Sequence, residues 1–535
     1  MTNVRIEGNL AVVDFTAPFD LARYETFLKA KKLPESQIAY DWQTDVYRLT
    51  TPARFAPLLG TGQQRTDTQG LPMAPHLFDY QAWAVEIALE AERFALWLDT
   101  GLGKTPVFLE WARHIVHRTD GKVLIICPIG LFRQHAAESR RFYGDELPLQ
   151  RLDTREQLAA WCAAPGVGVG ITNYEKFIPG ILPELRHLVG LIADESSLLK
   201  TGGGVIKWNL IKSARGIPYK LSCTATPAPN EAMEYASQAA FLEKLRTEGE
   251  ILWTYFTKTD DGYIIKPHAQ KAFYAFMASW SLYMRDPARF GFADILSTLP
   301  PAEAHEYRLP ITAEQRILRD ELIVRKGGGL FDDDRLGVTE RTKLAQAARG
   351  FQYIGNGKSR PIESAKPAKV AELVRDDVAD GRQVLVWTVF DEEGAIIARR
   401  LAGSAFEVGT LHGSQTELQR ADILERFRRG DLACVITKPQ LAGYGLNLQH
   451  CRSMVFSGID DSFERRYQAE RRAVRFGQTE TVRIHEPYIP ELEGMMWGNV
   501  ARKEARFLND VAMQERFYRD ALSQQLADLK AAHAA

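Results

Sequence analysis

The sequence is short of cysteine, of long apolar runs and of net charge, and each shortage removes a class of protein. Its five cysteines (Cys127, Cys162, Cys223, Cys434, Cys451) show no C-x-x-C spacing. That excludes a zinc ribbon and a disulfide scaffold and suits a reducing compartment. No stretch approaches the roughly 18–20 uninterrupted apolar residues of a membrane helix. The opening run MTNVRIEGNLAVVDF lacks the basic and apolar blocks of a secretory signal, so a cytoplasmic protein with no membrane role is expected. Lys and Arg number 67 against 68 Asp and Glu, a formal charge of -1. Such a balance argues against a chain coated all over by nucleic acid and leaves room only for a local basic channel. Internal repeats and long low-complexity tracts are also absent. What remains is a chain of 535 residues, too long for one hydrophobic core, for which two to four domains are expected.

What is present is a rhythm. Short β-branched runs alternate with amphipathic helical periods: 94–99, 122–128, 167–174, 188–194 and 219–226, then 383–388, 405–413, 433–438, 453–458 and 481–488. Apolar strands alternating with helices predict parallel sheets covered on both faces, and two sets predict two α/β lobes. Residues 1–70 read as a small accessory α+β unit, strand–helix–strand, ending in the polar run GTGQQRTDTQG. The expected division is 71–300 for the first lobe, with a helical insertion near 232–298, and 301–490 for the second, with a helical lead-in near 312–360. A helical tail fills 491–535. KGGGLFDDD (326–334) reads as a flexible break.

Three stretches carry chemistry. In LWLDTGLGKT, a strand runs into Gly101 and Gly103, where the backbone can turn closely around phosphate oxygens. Lys104 would reach the β- and γ-phosphates, Thr105 would ligate Mg²⁺, and the following helix would aim its amides at the anion. The match to a phosphate loop is imperfect, because Leu98 stands where the pattern has its first glycine. In HLVGLIADESSLLK, a buried strand ends in Asp194 and Glu195, placing two carboxylates at the sheet edge where α/β folds bind ligands. Asp194 would hold Mg²⁺ and Glu195 would orient and deprotonate the attacking water. In RRYQAERRAVRFGQT, Arg472 and Arg475 lie three apart, on one face if the segment is helical, and could neutralise charge on a transferring phosphate. Taken singly, each has a bland alternative: a tight turn, an acidic loop, a solvated basic helix face. Their order, and their placement in two separate α/β sets, favours one phosphate-handling machine.

With those residues in view, the chain over roughly 75–490 resembles the superfamily-two helicases and, within them, the Swi/Snf-like DNA translocases, closer to phage- and prophage-borne members. HLFDYQAWAV (76–85), LIICPIGLFRQHAAE (124–138), ITNYEKF (171–177), SCTATPAPN (222–230), AGYGLNLQHC (442–451) and QAERRAVRFGQT (468–479) follow in the family's order. The resemblance implies two RecA-like lobes using ATP and Mg²⁺, with duplex DNA tracked along its backbone by a motor that works as a monomer. It places Gln81, Gly101, Gly103, Lys104, Thr105, Asp194 and Glu195 at the ATP site, Arg472 and Arg475 as arginine fingers, and Gly445 and Gln468 nearby. Asn173, Thr224, Thr226 and Thr388 fall on DNA-side or coupling positions. The chain departs from the family at Trp97–Thr100 before the glycines, at Ser196-Ser197 after Asp-Glu, and at Val474. Rival readings are a strand-separating DNA or RNA helicase and a non-catalytic DNA-binding scaffold. For the first, Trp253, Tyr255, Phe256, Tyr274 and Trp280 could stack bases, or could simply form the core of the insertion.

Overall fold

The structure is a computed structural model that describes residues 4–7, 10–16, 36–41, 46–52, 71–200, 204–228, 234–245, 248–259, 262–294, 299–325, 337–355, 358–442, 448–458, 460–475 and 478–534. The chain divides into two compact units, one of residues 1–295 with 507–535 and one of residues 296–506.

In the first unit, seven parallel strands form the sheet. Across it their order is Ser281–Met284, Arg93–Leu98, Tyr219–Cys223, Gly190–Asp194, Lys122–Ile126, Gly168–Thr172 and Leu149–Arg151. Its central members, KVLII and GLIAD, are buried at every position, the mark of a sheet covered on both faces. The helices Lys104–Thr119 and Phe132–Tyr143 each follow a strand and carry the chain across the sheet, the first past two strands to Lys122–Ile126 and the second past one to Leu149–Arg151.

The insertion expected to be helical is mixed. It holds the helices Tyr235–Phe241, Glu248–Tyr255 and Gln270–Ala278, a hairpin of Phe256–Thr259 with Gly262–Ile265, and the edge strand Ser281–Met284, paired in register with Ala95–Leu98. Phe256, Tyr274 and Trp280 are buried core, whereas Trp253 is 85% exposed. The end of the long helix Pro490–Ala534 also belongs to this unit: Asp510 accepts from Tyr274 Oη at 3.1 Å, and Gln514 donates to Tyr235 Oη at 2.7 Å. At the N-terminus, Val4–Glu7, Leu10–Thr16, Val46–Pro52 and Gln37–Asp41 form an antiparallel sheet in that spatial order. The helix expected among them would fall on 17–35, outside the described residues, as do the polar run at 60–70 and the break at 326–334.

The second unit has six parallel strands in the order Glu303–Arg308, Arg483–Tyr488, Ser453–Phe456, Val384–Trp387, Cys434–Thr437 and Val408–Thr410. Glu303–Arg308 is polar and mostly exposed, so its ladder with Arg483–Tyr488 rather than apolar burial places it. The lead-in likewise mixes two helices with the hairpin Phe351–Gly355 and Lys358–Pro361.

Two buried polar groupings stitch this unit together. Lys366 Nζ contacts both carboxylate oxygens of Glu493 at 2.7 Å, and Arg349 Nε lies 3.3 Å from Glu393, all four side chains being inside. Gly458 is glycine for space, because a Cβ there would stand 2.3 Å from Arg349 Nε. Asp377 takes hydrogen bonds from His485 Nε2 (2.8 Å), Arg483 (2.9 Å) and Ser453 Oγ. Burial pushes its carboxyl up, but those partners outweigh burial and bring it down to about 2 from 3.8. A folded value below the unfolded one means stability present in full above about pH 4 and lost as pH falls toward 2, worth about 2 kcal/mol. Urea unfolding of the full chain should therefore show Asp377→Asn clearly less stable than wild type near pH 6, with the gap about halved at about pH 3 and closing toward about pH 2.

Candidate nucleotide-binding site

The carboxyl edge of the seven-stranded sheet collects the first unit's candidates. Cys223, the last residue of its strand, pairs with Leu96 on one side and Asp194 on the other. The loop after Leu98 and the carboxylates after Ala193 therefore stand about two strand spacings apart, roughly 10 Å. Burial, then Asp194 and Glu195, push the Cys223 thiol well up, while Lys104 opposes them. Lys104, Asp194 and Glu195 thus act electrostatically on one buried atom.

The loop itself is built on glycine geometry. Gly101 (φ 92°) and Gly103 (φ 73°) both occupy the left-handed region. At Gly103 space matters as well, since a Cβ would come within 2.3 Å of Gln81 Nε2. Gln81 is buried and fully engaged: Phe78 N donates to its Oε1 at 3.0 Å and its Nε2 donates to Leu102 O at 3.0 Å. It therefore ties the start of the helix Asp79–Ala91 to the glycine loop. Lys104 Nζ donates to Leu98 O at 3.2 Å, and Thr105 lies in the first turn of the helix Lys104–Thr119. Asp99, one of the departures from the family pattern, accepts from Thr100 N at 2.7 Å and closes the turn.

Asp194 is 3% exposed and held from two sides. His135 Nε2 bonds its Oδ2 at 2.9 Å, and Tyr174 Oη donates to its backbone O at 2.7 Å. Burial pushes the Tyr174 hydroxyl well up, so it stays a neutral donor. His135 was not legible as a site residue, because only the crossing of the helix Phe132–Tyr143 over the sheet brings it to a carboxylate 59 positions away. Glu195 is a non-glycine residue at φ 51°, a backbone strain located at the proposed water-orienting carboxylate.

These residues fit ATP and Mg²⁺. The loop offers two glycines in the left-handed region, Lys104 offers a cation, and Thr105 and Asp194 offer the oxygen donors a hard cation takes. Among the described residues no group of three or more His, Cys, Asp or Glu could hold a metal.

Asn173, Thr224 and Thr226 sit at the same edge and are buried. Thr224 Oγ1 accepts from Thr226 N at 3.2 Å. In the second unit, Thr388 Oγ1 donates to Thr437 O at 3.2 Å. Gln468 is buried on the helix Phe463–Glu470. The arginines do not share a helix face. That helix ends at Glu470, and the chain tightens into turns through Arg472 N–Ala469 O and Ala473 N–Glu470 O at 3.2 and 3.3 Å. Arg472 is buried and Arg475 half-buried, and Arg472 O accepts Leu448 N at 3.1 Å. Gly445 lies outside the described residues.

Comparison with known proteins adds the following. Residues 365–477 match the Helicase conserved C-terminal domain. The chain is 28% identical over 156 residues to "Helicase swr1" of Aspergillus fumigatus, covering 29% of this chain and 9% of that one. It is 25% identical over 221 residues to the Xenopus tropicalis SWI/SNF-related matrix-associated actin-dependent regulator of chromatin subfamily A-like protein 1, covering 36% of this chain and 23% of that one. The chain thus spans no more than about a quarter of either curated relative. The Sulfolobus solfataricus SWI2/SNF2 ATPase core in complex with dsDNA is 18% identical, with a TM-score of 0.39 over 81% of this chain and 95% of that one. No helix among the described residues is long and apolar enough to cross a membrane.

Proposed function

We propose that this protein is a nucleic-acid-dependent ATPase that moves along duplex DNA. The observation that carries the reading is the register of the seven-stranded sheet, which sets the carboxyl ends of Arg93–Leu98 and Gly190–Asp194 on either side of Tyr219–Cys223, in a chain whose residues 365–477 match a helicase domain. Lys104 and the loop amides would grip the triphosphate, Thr105 and Asp194 would hold Mg²⁺, and Glu195 would orient the attacking water and take its proton. Bound Mg²⁺ would neutralise phosphate charge. Arg472 and Arg475 would supply further positive charge to the transferring phosphate, with Gln81, Gln468 and Gly445 around the nucleotide. Two α/β units that close on ATP and reopen after hydrolysis would step along the DNA backbone without reading bases.

ATP hydrolysis measured with duplex DNA, single-stranded DNA and RNA at two salt concentrations tests this. Duplex DNA should stimulate most, with apparent affinity falling by a slope of about -0.9 per phosphate neutralised. Lys104→Ala should abolish turnover in every case. Equal turnover in that variant would refute the site, and preferential stimulation by single strands or RNA would favour the strand-separating reading.

A further inference from the structure

We infer that Gln238, which lies in none of the sequence motifs, is a positioning residue that ties the strained backbone at Glu195 to the Ser222–Pro227 segment. The inference rests on the reading of Glu195 given above.

Gln238 sits on the helix Tyr235–Phe241 and is 1% exposed. Its Oε1 accepts from Trp97 Nε1 at 2.8 Å, Ser222 Oγ at 2.9 Å and Ser196 Oγ at 3.2 Å. Its Nε2 donates to Pro227 O at 2.9 Å. The amide can face only one way, because an indole N–H donates only and a carbonyl oxygen accepts only. One side chain therefore joins the strand before the phosphate loop, the residue after Glu195, and both ends of the stretch containing Thr224 and Thr226. Two of its partners, Trp97 and Ser196, are places where the chain departs from the family pattern, and here the departures share a single buried acceptor.

Glu195 explains what the junction is for. A left-handed conformation is costly for a non-glycine residue, and it persists only where the surroundings hold it. The preceding carbonyl, Asp194 O, is pinned by Tyr174, and Glu195 O accepts Leu198 N at 3.0 Å. The following residue, Ser196, is pinned by Gln238. A carbonyl oxygen has two lone pairs, so three donors cannot all be served equally. Trp97 and Ser222 lie on paired strands, which leaves Ser196, the longest contact, as the one that yields. Any shift of Pro227 pulls on the Gln238 amide, changes its hold on Ser196, and so reorients the Glu195 backbone. Gln238 is thereby placed to pass movement of the Ser222–Pro227 segment to the carboxylate that orients water.

The test uses the full chain with Gln238→Met, Ser196→Ala and the double variant. Three readouts are needed: kcat and KM for ATP at saturating duplex DNA, the fold-stimulation by that DNA, and equilibrium binding of a fluorescent non-hydrolysable ATP analogue. Both single variants should lose DNA stimulation, with kcat down by about tenfold for Gln238→Met, on the scale of one buried hydrogen bond. Analogue affinity and KM should stay within about twofold, and the double variant should be no worse than Gln238→Met, as expected of two residues acting through one contact. Should Gln238→Met fail to fold, Ser196→Ala alone decides by the same stimulation readout. Wild-type stimulation in Ser196→Ala, additive losses, or analogue affinity falling in step with kcat would overturn the inference. Failure of the underlying reading looks different: the wild type itself would show no DNA stimulation, or Glu195→Gln would keep its turnover.

Discussion

Replacing Arg472 with alanine is expected to lower kcat for DNA-stimulated ATP hydrolysis by about 10³–10⁵, the range for removing an arginine that stabilises a transferring phosphate. That corresponds to roughly 4–7 kcal/mol of barrier. Arg472 is only 6% exposed, and its backbone oxygen holds Leu448, so its position is set by the turns after the helix Phe463–Glu470. A buried guanidinium suits this task because it is planar, permanently charged and able to bond two oxygens at once. Lysine at this position should rescue little, since a point charge on a flexible stem cannot reproduce the fork. Steady-state kinetics of Arg472→Ala and Arg472→Lys, with thermal unfolding as the control for folding, measure the effect. Near-normal kcat in a folded Arg472→Ala would remove Arg472 from the chemistry.

Glu195→Gln should lower kcat by about 10²–10⁴, the usual worth of a positioned general base, while leaving analogue affinity nearly unchanged. Glutamine keeps the size and the hydrogen-bonding oxygen and loses only the ability to take a proton. The separation of kcat from binding is the informative part, because an effect confined to kcat marks a group acting in the transition state. Asp194→Asn should behave differently and weaken the dependence of nucleotide binding on Mg²⁺, since Asp194 is the proposed cation ligand.

Much of this architecture was legible in the amino-acid sequence, for a physical reason. Strands buried on both faces must be continuously apolar, so KVLII, GLIAD, VLVW and CVIT announced themselves and both parallel sheets followed. Strands made by pairing rather than burial stayed hidden. Glu303–Arg308 sits exposed at a sheet edge, and the hairpin Phe351–Gly355 with Lys358–Pro361 is largely exposed, so neither left a hydrophobic period. The same divide runs through the candidate site. Gly101, Gly103, Lys104, Asp194 and Glu195 stand next to strand ends, where local pattern and function coincide. His135 and Gln238 reach the site from helix faces, at 59 and 42 positions from Asp194 and Ser196 respectively, and only the packed fold makes them neighbours. The three-residue spacing of Arg472 and Arg475 puts them on one face only if the segment is helical, and the helix Phe463–Glu470 stops short of them as the chain tightens into turns.

The claim that ATP hydrolysis drives movement along duplex DNA is tested most directly by displacement of a triplex-forming strand from a DNA duplex. The wild-type chain should displace it with ATP and Mg²⁺, and should fail with a non-hydrolysable analogue or with Glu195→Gln. Duplex-stimulated hydrolysis with no displacement beyond that of the protein-free control would contradict the account.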